Sequence, residues 1–72
     1  MMEKLKELGQ AISILRVKRE MSLMQLCEKS KVSFSTLSFL ENAKSERPRV
    51  STIYKIAIAL EVEPKELLKY LD

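Results

Sequence analysis

Histidine and tryptophan are absent from this sequence, cysteine and glycine occur once each, and proline occurs twice. A single cysteine cannot form an internal disulfide, which agrees with a reducing compartment. Without histidine or carboxylates at ligand spacing, the sequence has no evident metal site. It also lacks a glycine-rich loop for a nucleotide phosphate, and no general base is placed beside its serines. We therefore expect neither catalytic activity nor a cofactor.

Long apolar runs are missing as well, and the longest is far too short to span a membrane. The first residues include Glu3, Lys4, Lys6 and Glu7, which is not the pattern of a signal peptide. A chain of 72 residues, 46% hydrophobic and 32% charged, fits one domain whose small core leaves little room for a deep pocket. We expect one cytoplasmic domain over residues 1–72, without a membrane partner, that binds through its surface.

The charge is weakly basic and unevenly distributed. A net charge of +3 favours an anionic partner only weakly. Lys and Arg outnumber Asp and Glu by seven to four in residues 1–32 and by three to two in residues 33–51, whereas residues 52–72 carry three against four. The C-terminal part is thus the least suited to face phosphate.

Two short helices separated by a tight turn are predicted at the centre of the chain. Ser22 and Gln25 have the spacing of a capping box for a helix over residues 23–30, and Ser33 can cap a second helix over residues 34–42. The helices must cross steeply, and the positions where they meet are all apolar or small: Leu26, Cys27, Val32, Leu37 and Leu40. This pattern is typical of a helix-turn-helix, whose second helix enters the major groove of DNA.

The second helix should direct both phenylalanines of the chain, Phe34 and Phe39, outwards together with Ser35 and Ser38. The short polar side chains suit the reading of base edges, and the apolar ones suit thymine methyl groups. The predicted DNA-binding residues of the two helices are Leu23, Ser33, Phe34, Ser35, Thr36, Ser38, Phe39 and Asn42.

Amphipathic helices are predicted on both sides of this unit. Residues 3–20 carry an apolar stripe at helical spacing, with Ile14 and Val17 off the stripe. Ser51 is predicted to cap a fourth helix, and Pro64 to begin a fifth. Because four short helices cannot bury every apolar residue near the C-terminus, we predict a homodimer interface there; fraying is the alternative. Its residues are Leu68, Tyr70 and Leu71.

From Leu8 onward the chain resembles the DNA-binding domains of the lambdoid phage repressors and Cro proteins, and the broad bacterial regulator family with the same five-helix fold. The resemblance rests on the central unit, on the stretch LENAKSERPR over residues 40–49, and on apolar and other positions in the flanking helices. These are Leu8, Gly9, Ile12, Leu15, Arg16, Ile56, Ala57, Ala59, Leu60, Val62, Leu67 and Leu68. It implies an all-α, compact five-helix domain with a central helix-turn-helix.

The resemblance implies a pair between Arg16 and Glu41 that locks the first helix against the recognition helix. The alternative is a solvated surface arginine. The chain departs from the family at Glu20, Lys31 and Ala43, where glycine is common. A side chain on a left-handed residue costs roughly 1 to 2 kcal/mol, so either the turns differ in geometry or stability is lost.

A basic loop follows the recognition helix, and Pro48 stiffens it. In the phage repressors that this loop resembles, the matching residues meet phosphates and the minor groove, which predicts DNA contacts for Lys44, Arg47 and Arg49. The alternative is a solvated loop. Cys27, at the tightest crossing, stands where the family usually has alanine, so we interpret it as a buried small residue rather than a redox sensor.

We therefore expect a sequence-specific regulator of transcription, most simply a dimeric repressor or operon controller that reads an inverted repeat in double-stranded DNA. The alternative is a protein-interaction module or an antitoxin with the same fold. It would bind a protein partner through Leu23, Phe34 and Phe39, which cannot form hydrogen bonds with base edges where family members commonly place Gln, Arg, Lys or Asn.

Overall fold

The chain folds into helices joined by short turns, as seen in a computed structural model that describes residues 2–44 and 47–72. The helices are α1 (Met2–Lys18), α2 (Leu23–Ser30), α3 (Phe34–Glu41), α4 (Val50–Ala59) and α5 (Lys65–Leu68), and a 3₁₀ helix follows over Lys69–Leu71. The predicted all-α architecture with five α-helices is confirmed for the described residues. The first helix ends at Lys18, two residues earlier than predicted. The third ends at Glu41, one residue earlier, because Asn42 forms its C-cap.

Serine caps fix where α2 and α3 begin, as predicted. The Ser22 hydroxyl accepts a hydrogen bond from the Gln25 amide at 3.1 Å, and the Gln25 side chain accepts one from the Ser22 amide at 2.7 Å. The Ser33 hydroxyl accepts from the Thr36 amide at 3.3 Å. Backbone donors that the helix itself cannot satisfy are paired by these side chains.

All five α-helices contribute side chains to one core. The buried apolar residues are Leu8, Ile12, Leu26, Val32, Leu37, Leu40, Ile53, Ile56, Ala57, Ala59, Leu60, Leu67 and Leu71. Of the five positions predicted at the crossing of α2 and α3, Cys27 alone is only half-buried. Leu26 occupies the inward position on α2, so Cys27, a quarter turn away, lies at the edge of the contact. Burial still raises the pKa of the Cys27 thiol, which disfavours the reactive thiolate.

The start of α4 differs from the prediction. Ser51 lies inside the helix, and Arg49 occupies the N-cap position, where its carbonyl accepts bonds from the Thr52 and Ile53 amides. Arg49 is extended, with φ −72° and ψ 148°. The helix thus begins on the backbone directly after the extended Pro48 segment and uses no side-chain cap. At the other boundary, Pro64 has helical dihedral angles and immediately precedes α5.

The turns at Glu20, Lys31 and Ala43 keep the left-handed geometry although none is glycine. Their φ angles are 54°, 64° and 56°, and Glu61 adds a fourth such position at 59°, which the sequence did not indicate. At three of them, all but Lys31, two backbone bonds close the preceding helix in the Schellman pattern. The chain therefore accepts strain at these turns rather than changing their shape.

The single glycine of the chain instead stands in the middle of α1. A Cβ atom built on Gly9 would lie 2.1 Å from the carbonyl oxygen of Leu40, far inside van der Waals contact. The close approach of α1 and α3 thus explains why glycine stands at this position. In a helix interior, glycine is less stable than alanine by around 1 kcal/mol.

Candidate nucleic-acid interface

The outer face of α3 exposes two aromatic side chains and one serine. Phe34 and Phe39 are 50% and 51% exposed, and Ser35 lies between them on the surface. Leu37 and Leu40, on the opposite face, are buried and hold the helix against the core. These positions agree with the predicted outward face of the recognition helix.

Hydroxyl groups at the start of α3 form hydrogen bonds with one another. Besides capping the helix, Ser33 donates to the Thr36 hydroxyl at 2.8 Å and lies 3.4 Å from the Ser35 hydroxyl. Thr36 and Ser38 are half-buried. Of Ser35, Thr36 and Ser38, all predicted to contact DNA, Ser35 is therefore the most accessible.

Asn42 lies at the C-terminal end of the same face. One N–H of its amide donates to the Ser38 carbonyl at 2.8 Å, which holds the side chain in place. An amide has an oxygen and a second N–H that this bond does not use. Leu23, at the start of α2, is half-buried and packs against the core, so it contributes only an edge to this surface.

A group of exposed cations follows α3. Lys44, Arg47 and Arg49 are all exposed, and Pro48 between the two arginines is half-buried. None of the ion pairs within residues 2–44 and 47–72 involves these three cations. Ser45 and Glu46, which belong to the predicted basic loop, lie outside the described residues. Lys44 thus adjoins the end of α3 that carries Asn42. Arg47 instead lines a surface pocket with Lys4, Leu5 and the C-terminal residues Tyr70, Leu71 and Asp72.

An ion pair between Arg16 and Glu41 braces the C-terminal end of α3 against α1, as the resemblance implied. Two guanidinium N–H groups donate to the two carboxylate oxygens at 2.8 and 3.0 Å, and a third donates to the Met21 carbonyl at 2.8 Å. The side chains are only 17% and 10% exposed. The hydrogen bond to Glu41 raises the pKa of Arg16 above its ordinary value. This bidentate contact fixes the position of α3.

A second charged cluster lies between the end of α1, α2 and the turn after α4. Glu61 pairs with Lys29 at 3.2 Å and with Arg19 at 3.7 Å. The hydrogen bond from Lys29 and the charge of Arg19 lower the pKa of Glu61. Because all three groups are well exposed, the cluster adds little stability.

The predicted dimer interface needs correction. Leu71 is only 7% exposed because the long helix α1 reaches across the 3₁₀ turn, where Lys4 donates to the Asp72 carbonyl at 2.6 Å. A partner subunit cannot reach the Leu71 side chain. Leu68 and Tyr70 are half-buried against the core and remain a prediction.

Sequence reasoning missed a second exposed apolar surface, on α4. Val50, Tyr54 and Ile58 are 51%, 46% and 66% exposed. Their spacing of four residues, at the edge of the buried stripe of α4, was the available signal. On α1, Ile14 and Val17 are exposed as well, at 56% and 61%. Within the described parts of the chain, no helix is long and apolar enough to cross a membrane.

Known proteins are similar to this chain in sequence. Residues 11–72 match the family model described as Cro/C1-type HTH DNA-binding domain. The chain is 37% identical over 59 residues to the Uncharacterized HTH-type transcriptional regulator YozG of Bacillus subtilis (strain 168), a match that covers 82% of this chain and 70% of that relative. It is 37% identical over 60 residues to the Uncharacterized HTH-type transcriptional regulator RghRB of the same organism, covering 83% of this chain and 43% of the relative. No solved structure gives a significant match.

Proposed function

Since the chain belongs to the family of Cro/C1-type helix-turn-helix DNA-binding domains, we propose that it is a sequence-specific regulator of transcription, most simply a dimeric repressor or operon controller. The observation that carries this proposal is the exposed face of α3, which three exposed cations follow in the sequence, Lys44, Arg47 and Arg49. We further propose that residues 1–72 act as one domain, in the cytoplasm, and without a catalytic role.

In this proposal α3 enters the major groove, and the basic loop holds the DNA backbone, with Arg49 reaching into the minor groove. Ser35 contacts base edges, while Phe34 and Phe39 pack on thymine methyl groups. Two copies bind an inverted repeat whose half-site centres lie roughly 10 bp apart, because two recognition helices on one face of the duplex must enter successive major grooves.

Selection from a pool of random DNA duplexes tests the function directly. We expect enrichment of an inverted repeat with half-site centres about 10 bp apart, and specific binding to the DNA upstream of the protein's own gene. As a control, the same repeat lengthened by 5 bp, which turns the second half-site to the opposite face, should bind more weakly. A pool that shows no sequence enrichment, while the chain is folded, would contradict the proposal.

The salt dependence of DNA binding should report the contribution of the basic loop. If a dimer meets about six phosphates, the plot of log K against log salt concentration should have a slope near −5. Arg47→Ala should weaken binding to all sequences about equally and make the slope less steep by about 1 for each phosphate contact that is lost.

The matched control is Lys65→Ala, because Lys65 is 83% exposed and pairs with Glu63 at 3.6 Å. That change should leave the slope as it is. A flat salt dependence of the unmodified chain would remove the electrostatic part of the proposal.

A second candidate function follows from the aromatic residues of α3. Two half-exposed phenylalanines on so small a domain, with Leu23 at their edge, form an apolar surface of the kind that often binds proteins. The chain would then be a protein-interaction module or an antitoxin with this fold. The neighbouring cations favour DNA, because a surface that binds only an apolar partner has no need of Arg47 and Arg49.

Replacement of thymine with uracil in the operator separates these two candidates. The unmodified chain should prefer thymine at defined half-site positions by about 4-fold per buried methyl group, from roughly 0.8 kcal/mol each. Phe34→Ala or Phe39→Ala should lose both affinity and this preference, whereas Ile14→Ala, on α1, should change neither. If the phenylalanine variants bind DNA normally but fail to capture a protein partner, the second candidate is correct.

A further inference from the structure

Helix α3 carries none of the side chains that recognise a purine through two hydrogen bonds. Arginine, lysine, glutamine and asparagine are absent from Phe34–Glu41, and its one charged residue, Glu41, is bound to Arg16. The outward residues are instead phenylalanines, which present apolar rings, and residues with hydroxyl groups. Recognition by α3 must therefore depend on apolar contact, and the apolar feature of the major groove is a methyl group.

The rings and the hydroxyl groups of α3 are arranged in pairs. Ser35 and Phe39 are four residues apart, as are Phe34 and Ser38, so each ring lies beside a serine on the helix surface. At 3.6 residues per turn, the two phenylalanines lie about 140° apart around the helix axis, with Ser35 between them. Ser35 is exposed, whereas Ser38 is half-buried, and Phe39 is 51% exposed. The Ser35/Phe39 pair is therefore the more accessible of the two.

A pyrimidine base presents two neighbouring groups in the major groove. Thymine has a carbonyl oxygen at C4 and a methyl group at C5, whereas cytosine has an amino group at C4 and no methyl group. Methylation of cytosine at C5 adds the same methyl group at the same place. A hydroxyl group donates a hydrogen bond to the carbonyl oxygen or accepts one from the amino group. The Ser35 hydroxyl thus suits either base, while the Phe39 ring suits the methyl group of either.

We propose that the Ser35/Phe39 pair recognises a C5-methylated pyrimidine in duplex DNA, whether that base is thymine or 5-methylcytosine. This inference rests on the proposed function, because α3 must lie in the major groove. It adds a form of regulation to that function. Methylation of a cytosine opposite Phe39 would turn a poor half-site into a good one without any change of base sequence.

Asn42 limits this equivalence of the two methylated bases. An asparagine amide can form two hydrogen bonds with adenine, which pairs with thymine but not with 5-methylcytosine. The Asn42 amide donates to the Ser38 carbonyl at 2.8 Å, so its side chain lies at the C-terminal end of α3. The effect of the methyl group must therefore be measured separately with adenine and with guanine as the opposite base.

Four versions of one operator separate the methyl group from the rest of the base pair. At each pyrimidine position of the enriched inverted repeat, the duplex carries thymine or uracil opposite adenine, or 5-methylcytosine or cytosine opposite guanine. At the position that faces Phe39, the methyl group should raise affinity by about 4-fold in both kinds of pair. When both half-sites carry it, the two effects should multiply to about 16-fold.

A preference for thymine over uracil, without any preference for 5-methylcytosine over cytosine, would overturn the inference and leave the proposed function intact. If the unmodified chain binds no duplex, methylated or not, the proposed function and this inference both fail. The two failures are therefore distinguishable in one set of titrations.

Variants assign the methyl effect to single residues. Phe39→Ala should remove the preference for the methyl group in both kinds of pair. Ser35→Ala should weaken binding to thymine and to 5-methylcytosine alike and keep the preference at about 4-fold. Ile14→Ala, at an exposed position of α1, is the matched control and should change neither quantity. A preference that persists in Phe39→Ala would assign the effect to the stiffness or shape of methylated DNA and would overturn the inference.

Discussion

Gly9→Ala is expected to lower the free energy of unfolding by about 3 kcal/mol. The added Cβ would lie 2.1 Å from the Leu40 carbonyl oxygen and 3.3 Å from the Glu41 Cα. Both neighbours are backbone atoms of α3, so no flexible side chain can move aside. The two helices must separate, and contacts around Leu8 and Ile12 would loosen with them.

Urea unfolding of the variant measures this loss, and its sign distinguishes two effects. Intrinsic helix propensity alone would make alanine more favourable than glycine by around 1 kcal/mol. Gln10→Ala, at the exposed neighbouring position, is the matched control and should change stability by less than about 0.5 kcal/mol. A Gly9→Ala chain as stable as the unmodified one would show that α1 and α3 are not in close contact in solution.

Breaking the Arg16 to Glu41 pair should also be strongly destabilising. Arg16→Ala leaves a carboxylate that is only 10% exposed without its bidentate partner, and it also removes the donor to the Met21 carbonyl. Loss of one member of such a poorly solvated pair costs about 3 kcal/mol. Glu41→Ala should have a similar effect, and the double variant should lose less than the sum of the two single variants.

The chain provides a control for this cycle in Arg19, which is 40% exposed and lies 3.7 Å from the Glu61 carboxylate. Arg19→Ala should cost far less than Arg16→Ala, as is usual for exposed pairs, and added salt should reduce that cost further. The Arg16 effect should persist in salt. Strict additivity of Arg16→Ala and Glu41→Ala would show that the two side chains do not interact.

Local chemistry made the central unit predictable. Ser22, Gln25 and Ser33 satisfy backbone donors a few residues away, so the starts of α2 and α3 depend on neighbours in the sequence alone. The boundaries of α2 were predicted to the residue for this reason. The contact between Arg16 and Glu41 spans 25 positions; family resemblance supplied it, and no local rule could have.

The errors arose where distant parts of the chain decide the outcome. Leu71 is buried because the first turns of α1 cover the 3₁₀ turn, a contact across almost the whole sequence. Cys27 lies at an edge because Leu26 takes the inward position, which depends on how α2 is rotated against its neighbours. Ser51 was expected to cap α4, but the extended Arg49 lets the helix begin earlier. The need for glycine at position 9 likewise depends on a distant contact, because it arises from the Leu40 backbone beside α1.

The left-handed residues Glu20, Lys31, Ala43 and Glu61 also affect the unfolded chain. Glycine at these positions would relieve strain in the folded turns, but it would give the unfolded chain more conformations to lose on folding. With one glycine in 72 residues, the unfolded ensemble has comparatively few very flexible joints. Part of the strain in the folded turns is therefore offset by a smaller loss of backbone entropy, and the stability of this domain depends on its turns through both states.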